Sequence, residues 1–392
     1  MLLWIVERWM ASGGSFWVDH LAAASKITFR GAWAALAAFF LAVLLGPCWI
    51  GWLRARFREP IKGDSPDLCR LHSTKQATPT MGGLFLVAAL VAGALAFGDL
   101  GNRYVQAALV TTAGLAAVGA ADDLVKLRTS RNGLSRRAKL LCQTAAALPA
   151  AWMVYLEHAG TADGLGLGFP GAGQTGFLGA AFMPLALLVI VGTSNAVNLT
   201  DGLDGLAAGC LIFAVAAMGL AAYAAGHAEW AAYLGIPRIP AAGEVAVLAA
   251  CAVGGLLGFL WFNCHPAEVF MGDTGALPLG GLLGLLAVVA RQEILLVVVG
   301  GVFVAEAASV ALQISCHRLR GRRIFLCAPL HHHFQFRGWP ETRIVARFWI
   351  AAALCAVLGM GGLKALAPPP PAASSSVTVS STEWAPQPPT SP

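Results

Sequence analysis

The chain has 392 residues, of which 57% are hydrophobic and only 12% charged, with a formal net charge of +6 and a mean hydropathy of +0.69. Soluble domains carry about one-quarter charged residues, so this composition excludes an ordinary soluble globular protein and indicates a polytopic membrane protein. No nucleic-acid partner is expected.

Residues 1–27 are apolar but interrupted by Glu7 and Arg8, and read as an interfacial segment rather than a span. A helix crossing the hydrocarbon core needs about 20 apolar residues. Runs of that kind fall near 31–53, 80–98, 104–121, 140–156, 178–200, 205–226, 245–264, 274–290, 294–316 and 345–366. The expectation is an all-α fold of about ten transmembrane helices over residues 28–366. Residues 367–392, rich in Pro, Ser and Thr, read as a disordered tail. The nine cysteines are scattered without a C-x-x-C pair, so neither a disulfide framework nor a structural zinc site is expected.

Lysine and arginine fix the orientation. Six follow span 1 (Arg54 to Lys75), six follow span 3 (Lys126 to Lys139) and seven follow span 9 (Arg318 to Arg347), against only Arg103, Arg238 and Arg291 after spans 2, 4, 6 and 8. Positive loops stay in the cytoplasm, which puts both termini outside.

The unusual polar residues fall on the same side as the basic loops, at the five odd-to-even junctions. Before span 2 lies Lys75-Gln-Ala-Thr-Pro-Thr80-Met-Gly-Gly83, where Pro and two Gly permit close backbone approach. Span 3 ends on Asp122-Asp123-Leu-Val-Lys126. Two adjacent acids at a helix C-terminus oppose the dipole and repel each other, so a metal ion or a lysine must relieve them unless the end is simply solvated. Arg136, Lys139 and Gln143 then share one helix face, suited to an anion or to lipid phosphates. Asn195, Asn198, Asp201 and Asp204 recur every three residues. They form a polar ridge if helical, or a turn where Gly202 and Gly205 break the helix.

Further along, Asn263-Cys-His-Pro-Ala-Glu-Val-Phe270-Met-Gly-Asp273-Thr-Gly275 precedes span 8. Asp273 there is either a plain helix N-cap or part of an anion site at a helix N-terminus. Span 9 carries Glu306, a functional candidate inside the membrane unless it only braces helices. His331, His332 and His333 follow Pro329-Leu330; zinc ligands at customary spacing are missing, and anion binding or proton handling suits them better.

Carboxylates, amides, cations and imidazoles on one face suit a phosphate-rich substrate with Mg²⁺, whose hard oxygen ligands are carboxylates and phosphates. There is no G-x-x-x-x-G-K-[ST] loop, so this is not a P-loop ATPase. A secondary transporter would hold its ion-binding groups near the midplane, where only Glu306 sits.

TPTMGG, DDLVK, NAVNLTDGLDGLAAG, PAEVFMGDTG and PLHHHF, in this order, resemble the phospho-N-acetylmuramoyl-pentapeptide transferases, a family of the polyprenyl-phosphate N-acetylhexosamine-1-phosphate transferases, over roughly residues 20–366. The resemblance implies transfer of the phospho-sugar from UDP-N-acetylmuramoyl-pentapeptide to undecaprenyl phosphate, giving lipid I and UMP with Mg²⁺, in the bacterial inner membrane among membrane lipids, often as a homodimer. A sibling that uses UDP-N-acetylglucosamine is the alternative. The resemblance further implies Asp122, Asp123, Asp273 and His331 as catalytic positions, with Asp273 on the metal and one of the adjacent pair as nucleophile or base. Lys75, Asn198, Asp201, Asp204, Asn263 and Phe270 would line the nucleoside pocket, Phe270 stacking on uracil. Thr80, Lys126, Lys139, His332 and His333 would complete the substrate-binding cleft. Ala276 stands where a Ser is common, with Pro278 beyond it, which leaves the helix start at this motif open.

Overall fold

The computed structural model describes residues 25–56, 78–129, 132–161, 165–169 and 173–366. Nearly all of the interfacial segment, the whole tail and Lys75 lie outside these residues.

Ten helical segments occupy the ten expected positions. They are α1 (Ile27–Arg56), α2 (Gly83–Phe97), α3 (Arg103–Arg128), α4 (Arg136–Ala159), α5 (Phe182–Thr200), α6 (Leu206–Gly226), α8 (Val245–Asn263), α9 (Asp273–Ala290), the pair α10 (Glu293–Val299) and α11 (Gly301–Arg320), and α13 (Glu341–Leu366). Two short helices, α7 (Ala228–Leu234) and α12 (Leu330–Phe336), sit in connections, and an antiparallel hairpin of β1 (Gly166–Phe169) and β2 (Gly173–Phe177) joins α4 to α5. Among the described residues seven helices are long and apolar enough to cross a membrane, or eight if the bent pair counts as one span. This is an all-α polytopic membrane architecture. The count falls short of ten because α2 has only 15 residues, α4 is not among the apolar set, and the ninth span breaks by 86° between α10 and α11.

The core is built around α9, every residue of which is buried. It packs against α5, α3 and α6. Apolar surface drives nothing between helices in lipid, so close van der Waals approach must do so, and small residues allow it. Gly280 and Gly284 of α9 accordingly lie against the α5 backbone at Ser194 and Ile190.

At the end of the bundle where α1 begins, two sets of polar groups satisfy one another, as a low-dielectric surrounding favours. The side chain of Asn102 caps α3 by accepting from Tyr104 N (2.8 Å) and Val105 N (3.2 Å) while donating to Ala241 O (3.0 Å). Buried Arg30 grips Glu244 through both terminal nitrogens, at 2.9 and 2.6 Å, and donates to Phe97 O. Truncating one partner of a buried ion pair strands the other charge and costs about 3–5 kcal/mol. Glu244→Ala is therefore expected to lower the unfolding midpoint in detergent sharply. Unchanged thermal stability would show that Arg30 finds another acceptor.

Candidate functional site

At the opposite end, four of the five polar junctions converge on one cavity of about 290 Å³, lined by Thr80, Asp123, Lys126, Asn198, Asp201 and Asp204 together with Asn263, Phe270, Gly272 and Asp273.

Its head is the start of α9. The N-cap position belongs to Gly272, whose φ of 68° a side chain would resist, and Asp273 is the first helical residue. The plain N-cap reading of Asp273 therefore falls away. Its carboxylate instead accepts from Asn198 Nδ2 (2.8 Å), lies 3.0 Å from Lys126 Nζ, and pairs with Lys139. The helix begins regularly despite Ala276 and Pro278. The free α9 amides are taken by Asp123, which accepts from Asp273 N (3.2 Å), Thr274 N (2.9 Å) and the Thr274 hydroxyl (2.7 Å). Asp123 thus serves as a capping acceptor delivered from α3, the favourable place for a negative charge. Asp122 lies beside the same head, accepting from Leu134 N (2.8 Å) and lying 2.9 Å from Lys126 Nζ.

The three carboxylates each bring an oxygen within 4.8 Å of the others. Lys126 and Lys139 offset charge that would otherwise repel at this spacing. Three hard oxygen donors at such separation fit a small divalent cation such as Mg²⁺.

Around this head the walls are held by the backbone. Phe270 N donates to Pro79 O (2.9 Å) and Gly82 N to Phe270 O (2.8 Å), so the Thr-Pro-Thr-Met-Gly-Gly segment clamps Phe270 in the cavity wall, which Thr80 also lines. Asn263 accepts from Gly205 N (3.1 Å) and donates to Val269 O (2.8 Å), pinning the turn that follows α5. Asp204 Oδ2 takes His265 Nδ1 (3.0 Å) and Ala267 N (3.2 Å), and Asp204 N donates to Glu341 (2.8 Å).

The three-residue ridge is broken as Gly202 and Gly205 permit. α5 ends at Thr200, a turn follows, and α6 restarts after Gly205 at φ 75°. Asn198, Asp201 and Asp204 reach the cavity. Asn195 does not: its Nδ2 donates to Gln143 Oε1 (2.9 Å) on α4. Of the basic face on α4, Lys139 and Gln143 turn inward and Arg136 stays exposed. The three histidines separate. His331 is fully buried behind the cavity wall against Gly202, whereas His332 pairs with Gln335 (2.7 Å) and His333 accepts from Leu326 N (3.1 Å), neither lining the cavity. Sequence reasoning missed Thr274; its position after Asp273 at a helix start was the available signal.

Burial, and then the nearby carboxylates of Asp273 and Asp123, push the Asp201 carboxyl up to about 7 from an ordinary value of about 3.9. Between those two values the folded chain holds the extra proton, so this group's contribution to stability is present at low pH and is lost as pH rises through 7. In magnesium-free buffer the melting temperature of the wild type should fall from pH 5 to pH 8, and Asp201→Asn should flatten that decline. An identical pH profile for both proteins would remove Asp201 as its cause.

Residues 105–291 match the family model described as Glycosyl transferase family 4. The matched stretch runs from α3 through α9 and so carries Asp122, Asp123, Lys126, Lys139, Asn198, Asp201, Asp204, Asn263, Phe270 and Asp273. The match supports a membrane-embedded sugar-1-phosphate transferase acting on a polyprenyl phosphate.

Proposed function

We propose that this protein transfers phospho-N-acetylmuramoyl-pentapeptide from its UDP donor to undecaprenyl phosphate, releasing UMP and forming lipid I at the cytoplasmic face of a bacterial inner membrane. The observation that carries this reading is the meeting of Asp122, Asp123 and Asp273 with Lys126 and Lys139 at the head of a cavity that Phe270 also lines. The five motifs that resemble the muramoyl enzymes supply the choice of donor.

In this reading Phe270 stacks on the donor's base and the Asp201–Asp204 turn faces its nucleoside. Asp273, with Asp122 and Asp123 beside it, would hold Mg²⁺, which supplies neutralisation of the donor diphosphate. Lys126 and Lys139 bring two further positive charges to the place where acceptor phosphate and donor diphosphate must approach. An apolar groove of about 480 Å³ between α5, α10 and α11, lined by Leu188, Gly192, Leu296, Val304 and Ala308, suits the acceptor's hydrocarbon. Its wall includes Ala196, two residues before Asn198 on α5. An acceptor phosphate oxygen forms the new bond to the donor's β-phosphorus, and the bond from that phosphorus to the UMP oxygen breaks.

The acceptor is a phosphomonoester with a second pKa of about 6, so at neutral pH it is mostly a dianion and requires little proton abstraction. The obstacle is repulsion between two phosphates, and positioning with charge neutralisation is what phosphoryl transfer asks of a protein. The lysines and carboxylates therefore act chiefly through electrostatics rather than as a base.

UMP release by purified protein with undecaprenyl phosphate and Mg²⁺, compared between UDP-N-acetylmuramoyl-pentapeptide and UDP-N-acetylglucosamine, tests the assignment. Release from the muramoyl donor is expected. Release from the acetylglucosamine donor alone would transfer the protein to the sibling activity, and release from neither would sink the transferase reading.

A further inference from the structure

The proposed chemistry leaves Glu306 unexplained. It is fully buried within α11, past the 86° break, and an ionisable group at such depth is costly to keep. Its Oε1 accepts from the backbone N–H of His331 (3.2 Å) and lies 3.3 Å from His331 Nδ1, while Ser309 Oγ ties the same turn by donating to Glu306 O (2.7 Å). His331 is equally buried. Its ring lies against Gly202 so tightly that a Cβ there would come 2.3 Å from His331 Nε2. Gly202 in turn is part of the cavity wall, between Asp201 and Leu203. Glu306, His331 and Gly202 thus form one contiguous path from the interior of a span to the turn that faces the cavity.

We propose that Glu306 is a positioning residue for the donor side of the cavity. Its carboxylate fixes the backbone of His331 and lies beside the ring, and His331 holds the Asp201–Asp204 turn in place from behind. His331 then acts through Gly202 and does not touch the reacting phosphates. The inference rests on reading the cavity as the nucleotide-donor site. It differs from a simple helix brace, which would change stability without favouring one substrate over the other.

The test is steady-state kinetics with each substrate varied in turn, alongside melting temperatures, for wild type, Glu306→Gln, Glu306→Ala, His331→Ala and the Glu306→Ala/His331→Ala double variant. Glu306→Ala is expected to raise the donor KM about tenfold while the acceptor KM stays within about twofold. Glu306→Gln keeps an oxygen that accepts from the His331 N–H and should stay within about threefold of wild type. The double variant should be no worse than the weaker single variant, since residues acting through one contact are not additive. Should Glu306→Ala fail to fold, Gly202→Ala, which presses on His331 without altering Glu306, should show the same donor-selective rise. An unchanged donor KM, equal rises in both KM values, or additive losses would overturn the inference. A wild type that releases no UMP would instead overturn the functional reading.

Discussion

Asp273→Asn is expected to lower UMP release by about a thousandfold, equivalent to about 4 kcal/mol of transition-state stabilisation. The reason is the number of charges that meet there. Asp273 bonds to Asn198 (2.8 Å), lies 3.0 Å from Lys126, pairs with Lys139 and shares a divalent-cation-sized space with Asp122 and Asp123. An amide keeps the size of the side chain and one acceptor oxygen. It loses the charge, and its NH₂ group faces a lysine. The fold should survive, because the α9 amides are capped by Asp123 and not by Asp273 itself. A folded protein with a lowered melting temperature and a collapsed rate is the expected pair of results. Equal rates in the two proteins would remove Asp273 from the centre of the site, and with it the assigned place of the metal.

Gly119→Ala should have the second largest effect, although residue 119 touches no substrate in the proposed site. It lies on α3 one turn before Asp123, and a Cβ there would come 2.2 Å from Asp273 O and 2.7 Å from Thr274 N. Both are backbone atoms of the α9 start, so no side chain can rotate away. α3 and α9 must separate, which stretches the bonds from Asp123 to Thr274 and shifts Asp273 from Lys126. Overpacking of this kind costs about 1–3 kcal/mol, and a displacement of about 1 Å at reacting groups costs about a hundredfold in rate. The expected outcome is a folded protein with a lower melting temperature and a severely reduced kcat. Normal activity would mean that the two helices do not need this closeness.

The fold separates what the two acids of the Asp122–Asp123 pair do. In sequence they are indistinguishable neighbours at a helix end. In the fold, successive residues on a helix diverge by about 100°, so Asp123 faces the α9 N-terminus and Asp122 faces Leu134 and Lys126.

The sequence by itself determined the membrane class, the positions of the helical segments and the junctions whose polar groups line the cavity. Those follow from local physics: stretches without charge bury in lipid, and acids, amides and imidazoles beside such stretches cost too much to be incidental. Tertiary packing alone decided which members of each cluster reach the cavity. Asn195 and Asn198 share a helix face, yet only the latter is level with the α9 start, while the former meets Gln143 on α4. Three adjacent histidines looked equivalent, and only His331 is wedged behind Gly202. The pairing of Glu306 with His331 was likewise invisible, because it depends on residues 25 positions apart being pressed together. Composition fixes what must be hidden from lipid; the partner across the helix interface fixes what each hidden group does.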